Sequence, residues 1–270
     1  MQEMEKQKSI QIGTHGEDYG SWMSTPVFLI IGAVLLAAAV LAYVFVEVLS
    51  ITWLGILFGI LALGMLLLLI LIFWVRKQYA FGGGGIMDQV HQTVLGYLNY
   101  DGKGTFLEVG CGSGPLSIRA AITWPDAKIV GIDSFGAVYN YSLALCEKNA
   151  ETEGVKDRCT FQNGDARKLA FPDESVDAVV SNYVFHNING ADKQALILES
   201  LRVLKKGGVF AFNDSMKPAL YGDMEAFEQK LRDQGFEEVR FADTATEIFG
   251  SKGRAALMFL PDSTMLFGKK

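Results

Sequence analysis

Two long apolar stretches near the start of the chain form its most regular hydrophobic pattern. The first, Val27–Val46, holds 20 apolar residues. As a helix it would extend about 30 Å, the thickness of a bilayer's hydrocarbon core. The second, Val48–Val75, follows a single acidic residue, Glu47, and neither stretch contains Lys or Arg. The pattern predicts a helical hairpin that crosses a membrane twice, with its turn near Glu47–Thr52.

Basic residues flank this hairpin and are absent from its turn. Lys6 and Lys8 precede the first stretch, and Arg76 and Lys77 follow the second. Basic residues concentrate on the cytoplasmic side of membrane segments. An integral membrane protein is therefore expected, with both termini and the domain after the hairpin in the cytoplasm and the lipid bilayer as a partner.

Small residues recur along both apolar stretches. Gly55-x-x-x-Gly59 has the spacing of a helix-dimerisation face. It would serve either the packing of the two helices within one hairpin or a homodimer formed through the transmembrane helices.

After residue 80, short apolar runs alternate with amphipathic helical patterns. This alternation predicts an α/β fold with a doubly wound parallel sheet. The expected strands are Thr105–Val109, Lys128–Asp133, Cys159–Asn163, Val176–Ser181, Gly208–Asn213, Glu237–Phe241 and Ala255–Leu260. The chain is expected to comprise a polar tail (1–25), two transmembrane helices (26–77) and one α/β domain (78–270).

Charge and cysteine content narrow the class of partner. The 270 residues carry a formal net charge of −6, and no basic run exceeds two residues. Because proteins that track phosphates normally show a basic face, no nucleic acid is expected as a partner. Cys111, Cys146 and Cys159 lack metal-ligand spacing and are odd in number, so we expect free thiols and no metal.

A glycine-rich loop, Leu107-Glu-Val-Gly-Cys-Gly-Ser-Gly114, follows the first expected strand. Its three glycines let the backbone turn sharply and let a ligand approach closely. Nicotinamide, flavin and S-adenosyl-L-methionine (SAM) proteins share such loops. The dinucleotide fingerprint has its third glycine one residue later, and Glu108 suits a cationic amino acid better than a pyrophosphate. The glycine spacing and Glu108 therefore disfavour a nicotinamide oxidoreductase.

Polar residues end the next strands in order. Asp133, after the second strand, can accept hydrogen bonds from both ribose hydroxyls of a bound nucleotide, in NAD and SAM sites alike. Asp165 follows the third strand, which places a second carboxylate at the adenine edge, and Asn182 ends the fourth.

This ordered series resembles the class I SAM-dependent methyltransferases, particularly the branch with the quinone-methylating enzymes, over about residues 79–260. The resemblance implies a seven-stranded Rossmann-like sheet whose last strand is antiparallel. It also implies that SAM lies across the carboxyl ends of the first strands. The cofactor-binding residues expected on this basis are Glu108, Gly110, Gly112, Gly114, Asp133, Ser134, Asp165, Ala166 and Asn182.

The loop after the fourth strand carries the candidates for catalysis. His186 follows that strand beside the expected methyl position, where it could remove a proton from an attacking hydroxyl or ring carbon. Alternatively it is structural or part of the cofactor's wall, and Asn182 and Tyr183 share both interpretations. Asp214, which ends the fifth strand with Lys217 nearby, is a further candidate on the acceptor side.

The segment from Tyr79 and Phe81 to Gly85 joins the hairpin to the domain. It is either a closure over the methionine end of SAM, with both aromatic rings facing the methyl group, or a hinge that lets the domain tilt.

The expected function is transfer of the SAM methyl group, by in-line displacement, to a small lipophilic or membrane-associated acceptor. A hairpin anchor would raise the effective concentration of such an acceptor, whether a quinone, an isoprenoid, a phospholipid or a hydrophobic thiol. The competing interpretation is a SAM-binding membrane sensor or scaffold that performs no reaction.

Overall fold

The computed structural model describes residues 12–20, 25–81, 85–135 and 142–270. It divides into two compact units. One unit contains Ser21–Ala80, and the other combines the residues up to Gly20 with Phe81–Lys270. The three-part division expected from the sequence stays a prediction, although the residues before the hairpin fall in the same unit as the α/β domain.

The smaller unit is a pair of apolar helices. Helix α1 (Thr25–Tyr43) continues into a π-helical turn (Val44–Val48), and helix α2 covers Thr52–Gln78. The chain turns between them within the expected segment. Both helices, the first taken together with its π-helical turn, are long and apolar enough to cross a membrane.

The two apolar helices approach each other closely at one glycine. A Cβ at Gly55 would lie 2.2 Å from Val46 Cγ2 and 3.0 Å from the Ala42 carbonyl oxygen, whereas a Cβ at Gly59 would meet nothing within 4 Å. Gly55 therefore serves packing within the hairpin, because no larger residue fits there. The homodimer stays a prediction.

The larger unit contains a seven-stranded sheet flanked by helices. Its strands are β1 (Gly104–Val109), β2 (Ala127–Asp133), β3 (Cys159–Asn163), β4 (Val176–Asn182), β5 (Leu204–Ser215), β6 (Glu238–Ala242) and β7 (Ser263–Lys269). Its helices are α3 (Ile86–Gly96), α4 (Pro115–Thr123), α5 (Leu143–Thr152), α6 (Lys193–Arg202), α7 (Pro218–Tyr221), α8 (Met224–Asp233), α9 (Thr244–Phe249) and α10 (Lys252–Leu257).

The strand order is β3-β2-β1-β4-β5-β7-β6. Strands β1 to β5 pair in parallel, and β7 pairs antiparallel with both β5 and β6. The expected doubly wound α/β sheet with an antiparallel last strand is confirmed. Because the order reverses at β1 and β4, the carboxyl ends of these strands border the crevice where such sheets bind ligands.

Apolar residues on both faces of the central strands explain this arrangement. Leu107 on β1 and Val179 on β4 lie on one face of the sheet, their neighbours Phe106 and Val180 lie on the other, and none of the four exposes any surface. Strands buried on both faces need helices on both sides. The helices between the strands supply that cover.

One expected strand, Ala255–Leu260, is wrong. Helix α10 occupies most of that range, and the last strand is β7 instead. The Ser251 side chain accepts a hydrogen bond from the Arg254 backbone N–H, which caps the helix. The Ala-Ala-Leu run that follows favours helix over strand, and its apolar character alone did not separate the two.

Candidate functional site

The glycine loop turns sharply where β1 ends. Gly110, Gly112 and Gly114 all have left-handed backbone angles, with φ of 84°, 56° and 88°. A Cβ at Gly110 would lie 2.2, 2.5 and 2.8 Å from three side-chain atoms of Val184. Val184 belongs to the loop after β4, so Gly110 lets that loop, which also carries His186, lie directly against the glycine loop.

Asp133, at the end of β2, is held in place by two backbone donors. Its Oδ2 accepts a hydrogen bond from the Gly112 N–H and its Oδ1 accepts one from the Phe135 N–H, each at 2.9 Å. The side chain is only partly buried. A carboxylate oxygen has two lone pairs, so each oxygen retains one acceptor site for a ribose hydroxyl.

Glu108 is a buried acid beneath the glycine loop. Its side chain accepts a hydrogen bond from Ser117 Oγ, and the residue is 3% exposed. Burial raises its pKa from 4.5 to about 8, with the Asp133 charge adding to the rise and the bonds from Ser117 opposing it. The carboxyl is therefore mainly protonated near neutral pH when no cation lies beside it.

This raised pKa predicts a pH dependence of stability. The folded protein retains a proton on Glu108 that the unfolded chain releases above pH 4.5. The stabilising contribution is thus complete below pH 4.5 and is lost as pH rises through about 8. Compared with Glu108→Gln, the wild-type protein should lose up to about 1.4 kcal/mol of unfolding free energy per pH unit in that window. Equal pH dependence of thermal unfolding in both proteins would contradict the assignment.

The residues expected near adenine lie at the ends of β2 and β3. Asp165 is exposed, accepts a hydrogen bond from the Arg167 N–H at 2.9 Å, and has its pKa lowered mainly by that bond. Ala166 is buried, and Ser134 is exposed with its carbonyl oxygen 3.4 Å from Asn163 Nδ2. Their contacts with a cofactor stay predictions. Residues 136–141, which follow β2, lie outside the described residues.

His186 and Asp214 form a bonded pair at the ends of β4 and β5. These strands are in register with Asn182 opposite Asn213, so the loop after β4 passes over the end of β5. The His186 ring nitrogen Nδ1 is bonded to Asp214 Oδ1, and the His186 backbone N–H donates to Oδ2 at 3.2 Å. A third bond comes from the Ser215 N–H.

Exposure differs between the two partners of this pair. The Asp214 side chain is 2% exposed and the His186 side chain is 25% exposed. Within the described part of the chain, His186 Nε2 has no hydrogen-bond partner. The pair therefore presents one free ring nitrogen while a buried carboxylate holds the other, an arrangement suited to accepting a proton.

Asn182 and Tyr183 are engaged in structural contacts. The Asn182 side-chain oxygen accepts a hydrogen bond from Asn213 Nδ2 at 2.9 Å, and the Tyr183 hydroxyl lies 2.6 Å from Ser263 Oγ on β7. Burial raises the pKa of Tyr183 to about 12. The phenol therefore stays protonated near neutral pH and cannot accept a proton there, and the catalytic role considered for both residues stays a prediction.

A segment with no expected role contacts this region. Residues 12–20, called the N-terminal segment below, lie against the glycine loop, where Ser113 Oγ donates to the Tyr19 carbonyl oxygen at 2.9 Å. The Phe81 ring packs 4.9 Å from the Tyr19 ring and 5.5 Å from His91. Sequence reasoning missed this contact because 94 residues separate its partners.

Relatives named as methyltransferases match about half of the chain. A sterol 24-C-methyltransferase of Aspergillus fumigatus is 30% identical over 126 residues, 47% of this chain and 32% of that protein. A demethylmenaquinone methyltransferase of Symbiobacterium thermophilum is 30% identical over 135 residues, 50% of this chain and 51% of that protein. The matches thus span about a third to a half of these relatives.

A solved structure and a family profile agree with these matches. The geranyl diphosphate C-methyltransferase of Streptomyces coelicolor, solved with Mg²⁺, geranyl diphosphate and S-adenosyl-L-homocysteine, superposes with a TM-score of 0.53 at 13% identity. That superposition covers 66% of this chain and 76% of that one, and shows a shared fold. The family described as a methyltransferase domain matches residues 101–254, more than half of the chain. The chain therefore belongs to this methyltransferase domain family.

Proposed function

We propose that the protein transfers a methyl group from SAM to a lipophilic acceptor at a membrane, with His186 accepting the proton that the acceptor loses. The observation that carries this proposal is the bond from His186 Nδ1 to the buried Asp214 carboxylate. This bond fixes the imidazole through Nδ1 and leaves Nε2 of a partly exposed side chain open to an acceptor.

The residues at the sheet edge fit SAM. The left-handed glycines turn the backbone sharply at the end of β1, and Asp133 is aligned by backbone N–H groups with acceptor sites to spare for ribose. Glu108, Asp133 and Asp165 make this edge acidic, which suits a cationic cofactor. When bound, SAM supplies a methyl group on a positively charged sulfur.

The protein's own groups would then handle the acceptor's proton. Asp214 holds the Nδ1–H tautomer of His186, which leaves Nε2 as the proton acceptor. Once protonated, the imidazolium is stabilised by the adjacent buried carboxylate. General-base assistance of this kind contributes about 10²–10⁴-fold to a rate. The chemistry favours an acceptor with a hydroxyl or an acidic ring carbon over one whose nucleophile carries no proton.

The two apolar helices support a lipophilic acceptor. We infer that α1 and α2 cross the membrane with both ends in the cytoplasm, as Arg76 and Lys77 at the end of α2 suggest. Labelling of a Ser50→Cys thiol from outside intact cells would agree with this topology, and labelling only after permeabilisation would contradict it.

An anchored site encounters membrane-dissolved molecules at high local concentration. The sterol and demethylmenaquinone methyltransferases that the chain resembles are named for lipophilic substrates of the same kind.

Transfer of a labelled methyl group tests this proposal. The detergent-purified chain would be incubated with methyl-labelled SAM and a lipid extract of its own membranes, and the label would then be partitioned. We expect label in the organic phase. Asp133→Ala should reduce the amount of that label at least about tenfold, because the ribose hydroxyls lose a charged acceptor. SAM binding without transfer would favour the sensor or scaffold. Label found only in the water phase would contradict a lipophilic acceptor.

A further inference from the structure

The N-terminal segment is attached to helix α5 by several polar contacts. The Gly13 N–H donates to Glu153 Oε1 at 2.9 Å and the Tyr19 hydroxyl donates to the same oxygen at 3.2 Å. Asn149 bonds both the backbone N–H and the carbonyl oxygen of Asp18, at 3.1 and 2.9 Å. These contacts hold Glu153 in one orientation and direct its second oxygen, Oε2, toward His15.

Three potential metal ligands converge at this point. His15 Nδ1 lies 3.4 Å from Glu17 Oε1 and 3.3 Å from Glu153 Oε2, and the three atoms all lie within 4.8 Å of one another. The side chains of Glu17 and Glu153 are 0% and 3% exposed, whereas that of His15 is 62% exposed. The cluster is thus open on the histidine side and closed around the two carboxylates.

Glu17 Oε1 supplies an independent sign that this cluster is a cation-binding site. Across the described ranges it is a buried oxygen with no hydrogen-bond partner, although it faces His15. Leaving such an oxygen unsatisfied is costly. The separations of 3.3 and 3.4 Å from His15 Nδ1 exceed the usual N–H···O distance of about 2.9 Å.

We propose that His15, Glu17 and Glu153 bind a divalent transition-metal ion and that Zn²⁺ is the preferred ion. Tetrahedral coordination with bonds of about 2.1 Å separates neighbouring ligand atoms by about 3.4 Å, which matches both separations from His15 Nδ1. An imidazole nitrogen favours zinc over magnesium or calcium, which prefer oxygen ligands. The hydrogen bonds from Gly13 and Tyr19 to Glu153 orient this ligand from behind.

Charge supports the same assignment. Two buried carboxylates beside a neutral imidazole carry two negative charges, and a divalent cation balances both. Arg119, whose charge also acts on Glu153, is bonded to Asp88. The bound ion would hold the N-terminal segment onto α5 and, through Tyr19 and Ser113, beside the glycine loop.

Metal titration of the full-length chain tests the site. The detergent-purified protein is stripped with EDTA, dialysed, and titrated with Zn²⁺ in a calorimeter. We expect one Zn²⁺ per chain, and an affinity at least about tenfold lower for Glu17→Gln, which removes a charged ligand. Glu151→Gln is the matched control in the last turn of α5, two residues before Glu153, because Glu151 is exposed and pairs with Lys156. Its affinity should equal that of the wild type.

A second variant and a second readout keep the proposal falsifiable. His15→Ala removes the imidazole from an exposed position and should also lower Zn²⁺ affinity at least about tenfold. Co²⁺ in the wild-type site should give the intense visible absorption of tetrahedral coordination, which both variants lose. Equal Zn²⁺ affinity in wild type, Glu17→Gln and His15→Ala would overturn the proposal, as would Mg²⁺ binding as tight as Zn²⁺.

Discussion

Replacing His186 by alanine is expected to lower kcat by about 10²–10⁴-fold while the affinity for S-adenosyl-L-homocysteine stays unchanged. His186 bonds to the buried Asp214 and leaves one ring nitrogen free. Its removal therefore deletes the proton acceptor but none of the groups that hold the cofactor. The measurement is steady-state transfer of labelled methyl groups to lipid extract, together with calorimetric binding of S-adenosyl-L-homocysteine.

Asp214→Asn and a double variant make this result specific. Asparagine would hold the wrong imidazole tautomer and could not stabilise an imidazolium, so kcat should fall nearly as far. Because the two residues act as one unit, His186→Ala with Asp214→Asn should be no slower than His186→Ala alone. Asn187→Ala, which changes an exposed neighbour in the same loop, is the control. An unchanged kcat in His186→Ala would contradict the assignment and leave His186 a structural residue.

Replacing Gly110 by alanine is expected to destabilise the α/β unit by about 2–5 kcal/mol and to weaken cofactor binding. A left-handed backbone costs a residue with a Cβ about 1–2 kcal/mol. The collision with Val184 adds an overpacking cost of about 1–3 kcal/mol. The new Cβ would lie as close as 2.2 Å to Val184 Cγ2, so the loop that bears His186 would have to move. Chemical unfolding in detergent measures the loss.

Gly154→Ala is the matched control for backbone strain. Gly154 has a φ of 71° and nothing within 4 Å of the position of a Cβ, so this variant should lose only about 1–2 kcal/mol. Combining Gly110→Ala with Val184→Ala removes the two closest atoms, at 2.2 and 2.5 Å, but leaves the Cβ of residue 184 at 2.8 Å, so it should recover part of the difference. If Gly110→Ala were as stable as Gly154→Ala, the close approach of the two loops would not limit stability, which would contradict this prediction.

Much of the fold and of the cofactor edge could be predicted because the signals are local. Apolar strands alternate with helices along the chain, and the glycines and Asp133 end consecutive strands. The strand expected at residues 255–260 was wrong because apolar character alone does not distinguish a short strand from a helix. The Ser251 side chain caps a helix there.

Contacts between distant residues could not be predicted in the same way. The pairing of His186 with Asp214 depends on the register of β4 against β5, which places Asn182 opposite Asn213. The sequence identified both residues as candidates but could not show that they touch. The approach of the N-terminal segment to Glu153 joins residues on either side of the apolar hairpin, and no periodicity encodes such a contact.

The dependence of the transfer rate on detergent dilution distinguishes a membrane-dissolved acceptor from a water-soluble one. Enzyme, labelled SAM and lipid extract are kept at constant total concentration while an inert detergent is added, so that only the surface concentration of the acceptor falls. We expect the initial rate of label entering the organic phase to fall in proportion to the mole fraction of extract in the micelles. A rate independent of added detergent, with the label recovered in water, would contradict a membrane-dissolved acceptor.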